Sequence, residues 1–255
     1  MPTAADLHYY YYEGSTEGTV PPVILIHGAG GNHLYWHPHI RRLPNNRVYA
    51  LDLPGHGKSS GRGHQTITGY CDSILDWMEA VSLYSAIFVG HSMGSAIALM
   101  LALDHPKHVL GLGLVGAGAR LPVNAELIKA AASPTTYHQA IDNIVKWSFS
   151  PDTPSQLTDQ AARRMAEIRP SVLHGDFLAC NAFDETQRLS RIYKPTIILC
   201  GALDKMTPPR FSQYLADNIS NSQLEIIPDA GHMLMLEQPD KVADALLDFL
   251  PSIHY

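Results

Sequence analysis

The segment Gly90-His91-Ser92-Met93-Gly94 constrains this chain more than any other. It follows an apolar, β-prone run, Ala86-Ile87-Phe88-Val89, and precedes a small-residue helical stretch, Ser95-Ala96-Ile97-Ala98-Leu99. A strand that passes into a helix so abruptly turns too sharply for ordinary side chains at its flanks. Gly90 and Gly94 let the backbone pass close, and Ser92 is left exposed at the carboxyl end of the strand in a strained conformation. Small residues at G-x-S-x-G spacing recur by chance, so the motif carries weight only in this strand-turn-helix setting.

A serine hydroxyl is a poor nucleophile until a base takes its proton and a further group orients that base. The chain supplies candidates for both. Thr196-Ile197-Ile198-Leu199-Cys200 reads as a buried strand, and Gly201-Ala202-Leu203-Asp204 puts Asp204 on the loop after it. Leu224-Glu225-Ile226-Ile227 reads as another strand, leading into Pro228-Asp229-Ala230-Gly231-His232. Asp229 is a rival orienting acid, close to His232 in sequence. Asp204 is preferred because it stands on a separate strand end. The order Ser92, Asp204, His232 differs from the orders of the two protease folds that converged on the same constellation.

Other segments fall into a matching sequence: His27-Gly28-Ala29-Gly30, Asp52-Leu53-Pro54-Gly55-His56-Gly57-Lys58-Ser59, and Gly231-His232 through Glu237-Gln238-Pro239. With the serine motif and the Gly201 to Pro208 stretch, the chain resembles the α/β-hydrolase superfamily, in its serine-esterase branch, from Leu7 to Leu250. The Leu173 to Asp184 segment is similar to the cap region of small prokaryotic carboxylesterases. The resemblance implies a mostly parallel central sheet flanked by helices, with an inserted helical cap. It implies Ser92 as nucleophile, His232 as base and Asp204 as acid, the last matching the family pattern Gly-x-x-Asp-x-x-Thr-Pro through Thr207 and Pro208. The family also places an acid, in some members, after the strand ending at Val115, but Gly116-Ala117-Gly118-Ala119-Arg120 offers no carboxylate.

Attack on an ester carbonyl puts negative charge on its oxygen, and backbone N–H groups aimed there stabilise it. One donor is Met93, the residue after the nucleophile, at a helix N-terminus whose dipole favours the anion. By resemblance the other is Ala29, after His27-Gly28, with Gly30 as the alternative.

The remaining chain reads as an α/β alternation. Leu7 to Glu13, with its tyrosine run, suits an early edge strand. Val23 to Ile26, Val48 to Leu51 and Val109 to Val115 are further strands. Leu34 to Leu43, Thr66 to Val81 and Ser92 to Leu103 are helices, the last apolar all round and therefore buried. From Arg120 to Arg191 no buried strand is evident. Ala125 to Ala132, Tyr137 to Trp147, Ser155 to Ile168 and Val172 to Phe183 read as helices separated by prolines. This defines a core of residues 1–119 and 192–255 and a cap of residues 120–191, which needs the sheet to pack against. A final helix covers Lys241 to Leu250.

Composition agrees. The 255 residues are 45% hydrophobic and 16% charged, as expected for a sheet buried on both faces. A net charge of -6 argues against a nucleic-acid partner. No stretch is apolar and long enough to span a membrane, and no signal peptide is visible, which points to a cytoplasmic location. Cys71, Cys180 and Cys200 are expected to be free thiols. His33, His37 and His39 suggest a metal site, with His33 and His37 at helical i, i+4 spacing. With no acidic residue nearby in sequence, they read instead as pocket-lining or surface histidines. Asp52 and His56 belong to a loop that is structural in the resembling family.

The expected function is cleavage of carboxylic esters with short to medium acyl chains, on a small-molecule substrate and without cofactor or metal. A carbon–carbon bond hydrolase uses the same residues but usually carries an aromatic residue after the histidine, where this chain has Met233. A hydroxynitrile lyase adds a cap lysine, for which Lys129 and Lys146 are candidates. A non-catalytic receptor on the same fold retains the residues too.

Overall fold

The computed structural model describes residues 2–14 and 20–253. Its centre is an eight-stranded sheet in the order β1-β2-β4-β3-β5-β6-β7-β8. β1 (Thr3–Ala4) pairs antiparallel with β2 (Leu7–Glu13), and β2 pairs antiparallel with β4 (Arg47–Leu51). All other pairings are parallel, among β3 (Val23–Ile26), β4, β5 (Ala86–His91), β6 (Val109–Val115), β7 (Thr196–Gly201) and β8 (Ser222–Ile227). The tyrosine run lies in β2, one strand in from the edge, because the two-residue β1 pairs outside it.

The central strands are apolar on both sides because both sides are covered. Side chains alternate across a pleated strand. Val23 and Leu25 therefore join a core with Ile40, Val242 and Leu246, while Ile24 and Ile26 join another with Ile74, Trp77 and Leu99. The first core packs under α1 (Pro38–Arg41) and α10 (Pro239–Phe249). The second packs under α2 (Ile67–Ala80), α3 (Met93–Asp104) and α8 (Pro209–Asn218). In α3 every residue from Met93 to Leu99 is buried, which accounts for its lack of a polar face.

Four helices occupy the connection between β6 and β7: α4 (Ala125–Ala132), α5 (Tyr137–Ser148), α6 (Ser155–Ala166) and α7 (Pro170–Ala182). Their apolar residues do not form a separate core. Leu127, Ile141, Met165 and Phe177 belong to the cluster that includes Val23 and Leu25 of the sheet. Only α9 (Leu234–Glu237), just after His232, remains of the named helices.

The expected helix over Leu34 to Leu43 is corrected by the structure. A single 3-10 turn, His33–Tyr35, is followed by extended backbone and then by α1. Pro38 opens α1, and the residue before a proline is pushed out of the helical region; His37 has φ -57° and ψ 150°. His33 and His37 therefore do not share a helix. α8, for which the sequence reading assigned no element, begins with Pro208-Pro209, a combination that reads equally well as loop.

Leu99 is fully buried in α3. Leu99→Ala should cost about 2–5 kcal/mol, because the site has little freedom to collapse around the cavity. Urea denaturation should show a lower midpoint with an unchanged slope.

Candidate active site

The loops that follow β3, β5, β7 and β8 meet at the carboxyl edge of the sheet, where open α/β sheets bind ligands. Ser92 caps α3 with φ 52° and ψ -115°, outside the conformations ordinary residues prefer. Its N–H is held by the Val115 carbonyl at 2.9 Å. The turn requires its glycines. A Cβ on Gly90 would collide with the Gly94 carbonyl, and one on Gly94 would collide with the Ile26 carbonyl of β3. Ser92 is half-buried while its neighbours His91 and Met93 are fully buried.

Asp204 and His232 are brought together across 28 residues of sequence: His232 Nδ1–H donates to Asp204 Oδ2 at 2.8 Å. The other Asp204 oxygen accepts the Met206 and Thr207 backbone N–H groups at 2.8 and 2.9 Å. Thr207 Oγ1–H donates to Oδ2 at 2.8 Å. Burial opposes the charge on Asp204, but His232 and the Thr207 donors outweigh it and hold the carboxyl below its ordinary range. Thr207 is thus a working part of this arrangement, visible in sequence only as a member of a pattern. Asp229 is exposed, with φ 58°, on the turn before His232.

Ser92 and His232 face one cavity of about 80 Å³. Its walls are mostly apolar, among them Ala29, Leu121, Ile144, Met165, Phe177 and Met233. Ser92 Oγ makes no hydrogen bond among the described residues, as is common before a substrate tightens such a site. The expected cap residues divide accordingly: Leu121 and Phe177 line the cavity, while Trp147 is 37% exposed. Lys129 pairs with Glu126 on the surface, Lys146 is exposed, and neither lines the cavity.

The loop after β3 is clamped from two sides. From the core, His27 Nδ1–H donates to the Gly28 carbonyl at 2.8 Å, and Nε2 accepts the Leu53 N–H at 3.0 Å. That pattern needs a neutral ring. Burial, with His56 as a nearby like charge, pushes His27 down to about 3. From the cap, Asp176 Oδ2 accepts the Gly30 N–H at 2.8 Å. Ala29 N–H makes no hydrogen bond among the described residues.

Histidines and carboxylates near the site sort themselves differently from the sequence expectation. His33 is neither on the surface nor at the cavity. It is buried, its Nδ1–H donating to Asp52 Oδ1 at 2.8 Å, and His8 Nδ1–H donates to Oδ2 at 2.8 Å. His39 bonds Asp240 at 2.5 Å, and its ring meets His37 edge to face at 4.6 Å. Acidic partners absent from the local sequence thus come from distant segments. His8, His33 and Asp52 offer ligand atoms within 4.8 Å of one another, but these atoms are joined by hydrogen bonds, and two imidazoles with one carboxylate fall short of a closed structural zinc set. Asp52 and His56 do not pair, since His56 bonds Asp176. His91 Nε2–H donates to the His232 carbonyl at 3.0 Å; burial, then His232, push His91 well below the ordinary imidazole range.

The sequence profile of the family described as "alpha/beta hydrolase fold" matches residues 21–239. The chain belongs to that family. It is 27% identical to monoacylglycerol lipase abhd6-B of Xenopus laevis, over 96% of this chain and 80% of that one. In structure it is similar to an enol-lactonase from Burkholderia xenovorans LB400, with a TM-score of 0.89 and 23% identity over 96% of each chain. It is also similar to a thermophilic esterase from Thermogutta terrifontis, with a TM-score of 0.87 and 22% identity over 98% of this chain and 94% of that one. These last likenesses concern the fold. No described helix is long and apolar enough to cross a membrane.

Asp52 supplies a pH test of this edge of the sheet. Burial opposes its charge, but His33 and the backbone N–H groups of His33 and Lys58 outweigh it and hold the carboxyl well below its usual range. A depressed carboxyl contributes stability above its unfolded pKa, near 3.9, and loses it as pH falls toward the folded value. The urea midpoint should therefore fall steeply below about pH 5. Asp52→Asn should be less stable at neutral pH and show a shallower fall in acid.

Proposed function

We propose that this chain is a serine hydrolase that cleaves carboxylic esters of short to medium acyl groups through an acyl-enzyme. The observation that carries this reading is the 2.8 Å bond between His232 Nδ1 and Asp204, beside a cavity shared by His232 and Ser92. With Nδ1 protonated and donating to Asp204, Nε2 is left to accept a proton.

Ser92 Oγ attacks the ester carbonyl carbon, and its proton passes to His232 Nε2. The carbonyl oxygen becomes an oxyanion held by the N–H groups of Ala29 and Met93. Gly30, the alternative donor, has its N–H committed to Asp176. The tetrahedral intermediate collapses as His232 gives the proton to the departing alkoxide. Water then attacks the acyl-enzyme, its proton taken by His232, and the carboxylic acid leaves. Nucleophile, base and oxyanion donors all come from the chain, so the scheme calls for no cofactor. Residues 120–191 act as the cap and residues 1–119 and 192–255 as the catalytic core. The names of the relatives support ester chemistry, since a lactone is a cyclic ester. The exposed position of Lys129 and Lys146 weighs against a lyase that needs a cap lysine in the site.

Ser92→Ala should lower kcat for a p-nitrophenyl ester by on the order of 10⁶ while the protein stays folded. A variant that keeps a tenth of the activity would end the serine reading. Asp204→Asn should cost about 10⁴ in kcat by favouring the wrong tautomer. Asp229→Asn should cost far less; the reverse ranking would move the acid to Asp229.

The cavity also sets an expected acyl preference. Each methylene buried there contributes about 0.8 kcal/mol, or roughly fourfold in kcat/KM, until the space is full. The cavity of about 80 Å³ is small, and its walls are mostly apolar. Across acetyl to palmitoyl esters, kcat/KM should rise and then fall, with the optimum well short of long-chain lipids. Turnover of a vinylogous diketone with no ester cleaved at any length would replace the esterase by a carbon–carbon hydrolase.

A further inference from the structure

Asp176 is a fully buried carboxylate in the last cap helix, α7, and it lines no part of the cavity. A buried charge of this kind is costly unless every lone pair is engaged. Here both oxygens are. Oδ1 accepts the Tyr70 hydroxyl at 2.5 Å. Oδ2 accepts His56 Nε2–H and the Gly30 N–H, both at 2.8 Å. The other nitrogen of His56 meets the Pro54 carbonyl at 3.0 Å, so both ring nitrogens face acceptors and the ring is held as an imidazolium paired with Asp176. Tyr70 belongs to α2 and His56 to the loop after β4. The carboxylate is therefore anchored to the core by two side chains, and from that anchor it grips the backbone of a third segment.

That third segment matters most. Gly30 stands at φ +63°, next to Ala29, and a Cβ on it would lie 2.9 Å from Leu173 Cδ1 of the same cap helix. The peptide joining Ala29 and Gly30 is thus oriented by its hydrogen bond to Asp176 and by the close approach of α7. Rotating that peptide would tilt the adjoining Ala29 peptide, whose N–H is the free donor on the loop.

We propose that Asp176 is a positioning residue: a cap carboxylate that, through the Gly30 N–H, aims the Ala29 N–H at the oxyanion. The cap then does more than choose the substrate, since it completes the geometry that stabilises the transition state. This inference rests on the serine-hydrolase reading above.

Asp176→Leu removes the acceptor while keeping the branching and the number of heavy atoms of the side chain. Loss of one oxyanion donor lowers kcat by about 10²–10³, and a misaimed donor should cost less, so kcat for a small p-nitrophenyl ester should fall roughly 10–100-fold. KM should change by less than about threefold, because the interaction is made chiefly in the transition state. Affinity for an alkyl trifluoromethyl ketone, which forms a tetrahedral oxyanion on the nucleophile, should fall in parallel with kcat. Asp176→Asn, which keeps an oxygen for the Gly30 N–H, should recover most of kcat. Val172→Ala truncates a buried residue of the same helix that makes none of these hydrogen bonds; it should lower Tm and leave kcat within about twofold. If Asp176→Leu does not fold, Tyr70→Phe releases one carboxylate oxygen and should lower kcat and ketone affinity together, by a smaller factor. A folded Asp176→Leu, or failing that Tyr70→Phe, with lowered Tm but wild-type kcat and ketone affinity would overturn the positioning role, as would a loss confined to KM. Ser92→Ala separates the two claims. If it is active, the serine reading fails; if it is inactive while Asp176→Leu turns over like wild type, only the positioning role fails.

Discussion

The backbone contact at the serine turn is the constraint on which the rest of the molecule depends. α3 leaves β5 so sharply that Gly90 and Gly94 nearly touch, and Gly94 lies against the Ile26 carbonyl of β3. A helix that close to two strands is covered on every side, and α3 is accordingly buried from Met93 to Leu99, where the one polar side chain, Ser95, donates to the Ser92 carbonyl at 2.6 Å. The strain at Ser92, with φ 52°, persists because the surrounding packing overdetermines it. The same approach places the first N–H groups of α3 beside the loop that follows β3. The proposed oxyanion donors are neighbours as a direct consequence.

Around this turn, buried carboxylates organise loops that would otherwise be free to move. Asp52 gathers the His8 and His33 rings together with the Lys58 backbone. Asp204 gathers His232 and the Thr207 turn. Asp176 gathers Tyr70, His56 and Gly30. Each joins segments distant in sequence, and each meets hydrogen-bond donors on both of its oxygens. A carboxylate with every lone pair engaged resists displacement, since freeing one donor leaves a buried charge undersatisfied. The carboxyl edge of the sheet is thereby rigid where chemistry needs placement.

The cap joins this frame at two kinds of contact. Apolar residues of its helices share a core with β3 and β4, so the cap cannot leave as an independent body without exposing them. Polar contacts pin it at the loops that carry Gly30 and His232. Asp176 holds the loop after β3, and Glu237, beside His232, accepts the Ser150 N–H at 2.7 Å and the Gly231 N–H at 2.8 Å. The histidine loop and the β3 loop are therefore both tied to the segment between β6 and β7.

Much of this architecture was legible in the chain. Apolar runs marked the central strands, glycine spacing marked the serine turn, and the interval from Arg120 to Arg191 stood out because no buried strand interrupts its helices. Those signals are local: they depend on side-chain period, backbone freedom and proline placement within a few residues. The failures were equally physical. The helix expected over Leu34 to Leu43 is broken because Pro38 forces His37 out of helical geometry. His33 reads from sequence as a pocket-lining or surface histidine because its acid, Asp52, is 19 residues away. Asp176 lay inside the resembling Leu173 to Asp184 segment with no role attached. Its partner Gly30 is 146 residues distant, and no periodicity reports such a bond. The sequence by itself determined the succession of the central strands, the tight serine turn and the candidates Ser92, Asp204 and His232. Tertiary structure alone decided that Asp176 takes the Gly30 N–H while the Ala29 N–H is left without a partner among the described residues. Hydrogen bonds between distant segments exist only once the chain has buried their donors and acceptors together.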